Sequence, residues 1–324
     1  MKRKILKILI ATLFSIFSFS AYTQNTYPSR PISLIVPYPP GGGVDTVARI
    51  IAPILSERLG QKVFIENKPG VSGSIGSQYV AKAPPDGYTL LLGNTTTHAT
   101  NIYLTKNMGY NPTKDFVAIS LIDIGPTVLL VPSNSRFNSV LDIVKELKAR
   151  PGLLNYGSSG TGSVGHLAAE ILLNTTKTKA QHISYKGGAP VLTDLVGGQL
   201  DFAFELIPPA QQIIQAGRLK ALGVSSKTEM NALPGVKPIS ELGIQDYEMV
   251  TWHAIFAPIG TDAAIAQKLG SEISNIIKMP NVSKKLEELG LIPDSRHNLD
   301  FHNFWISDIA KWGKLVNDTS MKPE

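Results

Sequence analysis

Short apolar runs alternate with amphipathic stretches along most of the chain, and that pattern predicts its elements. Ile32–Pro37 is a short, mainly apolar run of strand length. Val44–Leu59 then places Val47, Ile50, Ile51, Ile54 and Leu55 on one helical face. Gly60 falls where a helix C-cap belongs. Further strands are expected at Val63–Glu66, Tyr88–Leu92, Phe116–Ile124 and Thr127–Val131. Helices are expected from Ser72, as N-cap, to about Ala83, and over Ser139–Ala149. In the second half, strand patterns at Leu153–Tyr156, His182–Tyr185, Asp201–Phe204, Leu219–Val224 and Met249–Ala257 are separated by helical segments such as Val164–Leu173. Ala263–Ile277, Val282–Leu289 and Leu299–Val316 read as helices that close the chain. Such alternation predicts an α/β fold with largely parallel sheets. A length of 324 residues leaves room for two domains.

One unit recurs in both halves: a strand, a glycine-rich turn and a helix. Pro40-Gly41-Gly42-Gly43 leads into the first helix with Asp45 in its first turn, and Ser158-Ser159-Gly160-Thr161-Gly162-Ser163 leads into the second. A helix N-terminus exposes unpaired N–H groups and the positive end of its dipole, so each turn is a candidate anion site. Two of them suit two carboxylates, or the two ends of one small acid. The first unit also invites a dinucleotide reading, with Glu66 ending the second strand, but G-x-G-x-x-G fails because Thr46 stands where the third glycine belongs. A secreted serine hydrolase using Ser163 and His166 is the rival reading. It lacks the G-x-S-x-G elbow, and a helix cap beside a partly buried imidazole explains the pair more simply.

Composition and charge sharpen this picture. Hydrophobic residues make up 43% and charged residues only 17%, as in a packed globular protein rather than a disordered one. There is no cysteine, which excludes disulfides, thiolate metal sites and thiol nucleophiles together. Lys2, Arg3, Lys4 and Lys7 precede the uncharged stretch Ile8–Phe19, and Ser18-Phe19-Ser20 offers small residues for cleavage. Residues 1–20 therefore read as an export signal cleaved near Ser20, which predicts a periplasmic protein working without ATP or NADH. Removing them takes away four of the 31 basic residues and none of the 25 acidic ones, so the formal charge falls from +6 to +2. The case for a nucleic-acid partner falls with it, since no basic cluster interleaved with aromatics follows. The six histidines show no metal-binding spacing.

Several ordered motifs together resemble one family. They are Pro37-Tyr38-Pro39-Pro40-Gly41-Gly42-Gly43-Val44-Asp45, Glu66-Asn67-Lys68-Pro69-Gly70 with Ser72-Gly73 and Gly76, and Asp86-Gly87-Tyr88-Thr89-Leu90. Tyr156–Gly160, Gly162-Ser163 with His166-Leu167, Tyr185-Lys186-Gly187, Gly197-Gly198-Gln199 with Asp201, and Trp252 with Ala257-Pro258 continue the likeness. Over about residues 27–320 the chain resembles the Bug (Bordetella uptake gene) receptors of tripartite tricarboxylate transporters. The resemblance implies a two-lobed, periplasmic-binding-protein-like clamshell, with lobe one over 27–125 plus 252–324 and lobe two over 126–251. It also implies a small carboxylate ligand (a mono-, di- or tricarboxylic acid or an acidic amino acid) in the cleft, a membrane permease as partner, no cofactor and a monomeric receptor. By position, Tyr38, Pro39, Pro40, Gly41, Gly42 and Gly43 would form the lobe-one ligand loop, shaped by Asp45, with Asn94, Thr95 and Thr96 beside it. Ser158, Thr161, Gly162 and Ser163 would take the carboxylate on lobe two. Tyr185, Lys186 and Gly187 would form a wall, Asp201 would lie near the floor, and Glu205 would line the cleft or face solvent.

Overall fold

The computed structural model of the chain describes residues 27–185 and 187–318. The expected export signal, residues 1–20, lies outside that range, as does Lys186. β1 (Ile32–Val36), β2 (Val63–Asn67) and β3 (Thr89–Asn94) form a parallel group in the first half. β4 (Phe116–Pro132) leads out of it. β5 (Asn155–Ser158), β6 (Gln181–Ser184) and β7 (Phe202–Leu206) form a second parallel group. β8 (Leu219–Val224), β9 (Val250–Pro258) and the short β10 (Ile292–Pro293) complete one sheet, ordered β2-β1-β3-β9-β4-β7-β5-β6, with β8 and β10 paired to β4.

The parallel arrangement expected from the sequence therefore holds in the outer strands of each half. The centre is antiparallel: β9 runs against β3 and β4, and β4 runs against β7, β8 and β10. The two strands expected at Phe116–Ile124 and Thr127–Val131 are one strand of 17 residues. Pro126 does not interrupt it because the ladder changes partner there. β9 ends opposite Pro126 at Val250, and from Thr127 onward β4 pairs with β7 and β8. A residue without an N–H is tolerated where no ladder donor is needed.

Both faces of the sheet are covered, which explains why its strands read as continuous apolar runs rather than alternating ones. In β1, Ile35 enters a core that extends through both halves, while Leu34 and Val36 enter a second core against the helices Gly43–Leu59 and Ala263–Ile277. Gly60 ends the helix Gly43–Leu59 in a left-handed conformation, as expected. The closing helix Asn298–Asp318 is fixed to the crossing strand through buried indoles. Trp252 Nε1 and Trp312 Nε1 both donate to Asp308 Oδ2, at 2.8 and 2.9 Å, and Trp305 Nε1 donates to the His98 carbonyl at 2.7 Å. Burial pushes the Asp308 carboxyl upward, partly offset by the two indole donors.

One expected boundary moves. Ser72 does not cap a helix: the helix spans Ser74–Ala81 with Gly73 at its N-cap, and Ser72 itself has φ 51°. The chain from Gly70 to Gly73 makes a left-handed turn instead, which a serine-capping pattern does not anticipate.

The helix Val164–Thr176 lies directly on β7 at Gly165, where an added Cβ would sit 2.3 Å from the Phe204 carbonyl oxygen. Alanine would gain about 1 kcal/mol of helix propensity. The clash is with backbone and must displace the helix, at a cost of about 1–3 kcal/mol or more. Gly165→Ala should therefore lower the urea midpoint, and an unchanged or higher midpoint would show that the helix has room to shift.

Candidate functional site

The two glycine-rich turns follow β1 and β5, and both helices that leave them start at one cleft of about 640 Å³. The first half contributes Tyr38, Val44, Val71, Ser72, Asn94, Thr96, Asn101, Leu104 and Thr105. The second half contributes Ser159 through Val164 and Ser184. Neither helix carries a side-chain cap: Gly42 precedes the first and Ser163 the second. By contrast, Ser139 caps Val140–Ala149 and Asp262 caps Ala263–Ile277. The first N–H groups of an uncapped helix remain available to a ligand. No charged side chain among the described residues lines the cleft.

The first turn is built around its own anion. Asp45 is buried and accepts hydrogen bonds from Gly41 N at 2.8 Å, Asn67 Nδ2 at 2.9 Å and Arg49 Nε at 2.7 Å. Burial alone would raise its pKa, but the bonds from Arg49, Gly41 and Asn67 prevail and hold the carboxyl below its ordinary value. Asp45 thus braces the turn from within. The Gly41 N–H is already engaged, and Pro39, Pro40, Gly41, Gly42 and Gly43 sit exposed at the turn, outside the cleft lining. Tyr38 does line it. Its hydroxyl donates to Asn94 Oδ1 at 3.2 Å, and burial pushes its pKa up to about 12.

After β3 the chain makes a π turn over Thr96–Thr100 and continues as the short helix Asn101–Leu104. The wider π turn sets Thr96, Asn101, Leu104 and Thr105 on the face that lines the cleft. Thr95 does not line the cleft. It is buried, and its Oγ1 accepts the Trp252 backbone N–H at 2.9 Å, satisfying the crossing strand rather than a ligand.

In the second turn, too, several groups are placed away from the cleft. β5 runs two residues past its expected end, to Ser158, whose side chain is thereby buried beneath the turn. Ser158 Oγ lies 2.6 Å from His182 Nε2 and 2.9 Å from the Gly160 carbonyl, so it braces the turn instead of lining the cleft. The Gly162 N–H, expected to meet the carboxylate, donates to His166 Nδ1 at 2.9 Å. Gly162 nonetheless lines the cleft with φ 75°, and a Cβ there would lie 2.8 Å from Leu104 Cδ1 on the opposite wall. Thr161 and Ser163 also line it. Ser163 stands at the N-cap without making the capping bond, and its buried Oγ has no partner. Because His166 Nδ1 is taken by Gly162, Ser163 and His166 do not form a nucleophile–base pair.

The proposed wall and floor lie elsewhere. The Tyr185 hydroxyl donates to Asp194 Oδ2 at 2.7 Å, and Gly187 is the N-cap of the helix Gly188–Val196; neither lines the cleft. Asp201 accepts the Asn155 N–H at 2.8 Å, at the opposite end of β5 from Ser158, where it pins the start of two strands. Glu205 neither lines the cleft nor faces solvent. It is buried against Gly188 and accepts the Leu206 N–H at 3.0 Å, with its pKa raised by burial. Val71, Asn101, Leu104, Thr105, Val164 and Ser184 are lining residues that no quoted motif contains, whereas Val44, Ser72 and Ser159 stand within the motifs without having been assigned to the ligand.

His166 and His182 stack with ring centroids 4.1 Å apart, beside Tyr156 and with Glu170 Oε1 4.0 Å from His166 Nε2. Burial, then the neighbouring His182, push the His166 pKa down to about 4. Protonation would also cost the bond from Gly162. Since an unfolded histidine titrates near 6.5, the unfolded state binds the extra proton first, and stability is lost as pH falls from about 6.5 to 4. His166→Asn removes that proton while leaving a side-chain acceptor. The wild-type stability advantage over this variant should be constant above pH 6.5 and shrink below it, by up to about 1.4 kcal/mol per pH unit. A difference independent of pH in urea titrations would contradict the assigned shift.

With this geometry in view, the comparisons with known proteins are informative. Residues 47–321 match the family described as "Tripartite tricarboxylate transporter family receptor". Protein BugT of Bordetella pertussis is 33% identical over 301 residues, covering 93% of this chain and 92% of BugT. Among solved structures, an R. palustris protein with adipate superposes with a TM-score of 0.83 at 34% identity, covering 92% of this chain and all of that one. MatC from Rhodopseudomonas palustris with bound malate gives 0.77 at 29% identity, covering 90% of this chain and all of MatC. The α/β fold, the interlobe cleft and a family match over most of the chain agree, and the chain belongs to the tripartite tricarboxylate transporter receptors, the Bug family.

Proposed function

We propose that the chain is an exported receptor that captures a small carboxylate between its lobes and delivers it, as a monomer, to a membrane permease. The observation that carries this reading is the cleft itself. Two helices without side-chain caps border it in their first turns from opposite halves, at Val44 and at Val164, among hydroxyl and amide side chains and without a charged side chain among the described residues. Such a site suits anions held by N–H groups and hydroxyls. Adipate and malate, carried by the two related structures, are both dicarboxylates. Assigning residues 27–125 plus 252–324 to lobe one and 126–251 to lobe two places one helix start on each. A ligand touching both favours the closed arrangement by its differential affinity for it.

The cleft narrows the ligand class. An amino acid would need a counter-charge for its ammonium group. Glu205, the acidic residue expected to line the cleft or face solvent, is buried outside the cleft lining and supplies none. Plain carboxylic acids are therefore preferred over acidic amino acids. Hydrolysis by Ser163 is disfavoured by the missing bond to His166.

A panel of mono-, di- and tricarboxylates should raise the Tm of the mature protein in a concentration-dependent way for at least one member, as expected of a ligand bound only to the native state. Gly162→Val places a β-branched side chain at φ 75° and against Leu104. It should weaken that binding by about tenfold or more, a loss of some 1.4 kcal/mol, with the far-UV circular dichroism unchanged. Absence of any carboxylate response, or ester turnover abolished by Ser163→Ala, would overturn the receptor reading.

A further inference from the structure

The left-handed turn at the rim of the cleft contains a residue that fits it poorly. Gly70, Val71, Ser72 and Gly73 have φ of 135°, 45°, 51° and 87°. Glycine adopts such angles freely, whereas a β-branched residue there is a true outlier. Strain of this kind persists only where surrounding contacts impose it. Here the turn is held by the Ser72 carbonyl, which accepts from Asn101 Nδ2 at 3.2 Å and lies 3.4 Å from the Tyr38 hydroxyl, whose one proton it shares with Asn94 Oδ1. Both donors belong to residues that line the cleft.

Val71 gains nothing from core packing in return, since it is 63% exposed. Glycine or asparagine would satisfy the backbone at less cost. What valine adds is an isopropyl group in the cleft, where Val44, Leu104 and Val164 are the other aliphatic side chains. Val44 and Val164 occupy the first turns of the two facing helices. Aliphatic groups thus stand beside the N–H groups and hydroxyls suited to carboxylates.

We propose that Val71 is a specificity residue, held in a strained turn so that the aliphatic belt of the cleft selects a dicarboxylate with a saturated hydrocarbon spine over a hydroxylated one of the same length. The inference rests on the receptor reading above and names the ligand class for that site. Hydroxyls on the spine would leave water for aliphatic neighbours that return no hydrogen bond. The cleft's own hydroxyls are better matched to the carboxylate ends, where the acceptor oxygens are.

Calorimetry with hexanedioate and tetrahydroxyhexanedioate tests this, because the two share carbon number and charge. The mature wild-type protein should prefer hexanedioate by roughly 10- to 100-fold, the discrimination that aliphatic pockets achieve against added hydroxyls. Val71→Ser and Val71→Gly should both narrow that ratio several-fold, chiefly through weaker hexanedioate binding. Glycine relaxes the backbone and serine does not, so a shared effect belongs to the lost side chain. Equal wild-type affinity for the two acids, or a ratio unchanged in both variants, would overturn the proposal. If neither acid binds while another carboxylate of the panel does, the specificity inference fails and the receptor reading stands. If no carboxylate binds, both fail.

Discussion

β4 and β9 are paired with each other along the middle of the sheet, and β4 alone then continues into the second parallel group. Everything about the site follows from that shared strand. The parallel strands on either side end toward the same region, so the turns that follow β1, β3 and β5 open onto one cleft. The core beneath is continuous through the junction, with Trp252 and Phe256 from β9 packed in the same cluster as Tyr156 and Phe204 from the second half. Thr95, which caps the Trp252 N–H, and Ser225, which caps the Thr127 N–H at 2.7 Å, satisfy backbone donors near the place where the ladder changes partner. A buried donor left unpaired there would cost about 1–3 kcal/mol. Those hydroxyls are therefore committed to the fold.

The same accounting separates groups that build the turns from groups that remain available. Asp45, Ser158 and His166 carry the chemistry that draws attention in the sequence, and each is spent on internal bonds, Ser158 on His182. Asp45 is the clearest case. A carboxylate in the first turn of an uncapped helix already enjoys the helix dipole, and Arg49 neutralises it from the solvent side. What remains along the cleft, among the described residues, is a set of neutral hydroxyl, amide and aliphatic side chains beside backbone groups.

Fold class, several helix ends and the pairing of two glycine-rich turns were legible because each depends on local patterning, whereas the helix start expected at Ser72 was not. Gly60 as a C-cap and the helix Ala263–Ile277 appear as expected. The site was legible at the level of loops and not of side chains. Tyr38, Asn94, Thr96, Thr161, Gly162 and Ser163 reach the cleft, whereas Thr95, Ser158, Tyr185, Asp201 and Glu205 turn away. The reason is physical. In a strand, adjacent side chains point to opposite faces, so a two-residue extension of β5 decides what Ser158 touches. Likewise, a left-handed turn through Val71 contradicts local propensity and is set by bonds from Tyr38 and Asn101, distant in sequence.

Ser163 Oγ gives a final measure of how such a cleft works. Nearly every polar group around it is satisfied, yet this hydroxyl is buried without a partner. An unsatisfied buried hydroxyl costs about 1–3 kcal/mol. With almost no accessible surface, that oxygen is sealed beneath the turn, so Ser163 borders the cleft without presenting its hydroxyl to it. A serine at the N-cap that makes no capping bond leaves the first N–H groups of the helix Val164–Thr176 without a side-chain acceptor. The cost of the unpaired hydroxyl is thus carried by the fold of the turn itself, at the point where the second glycine-rich turn meets its helix.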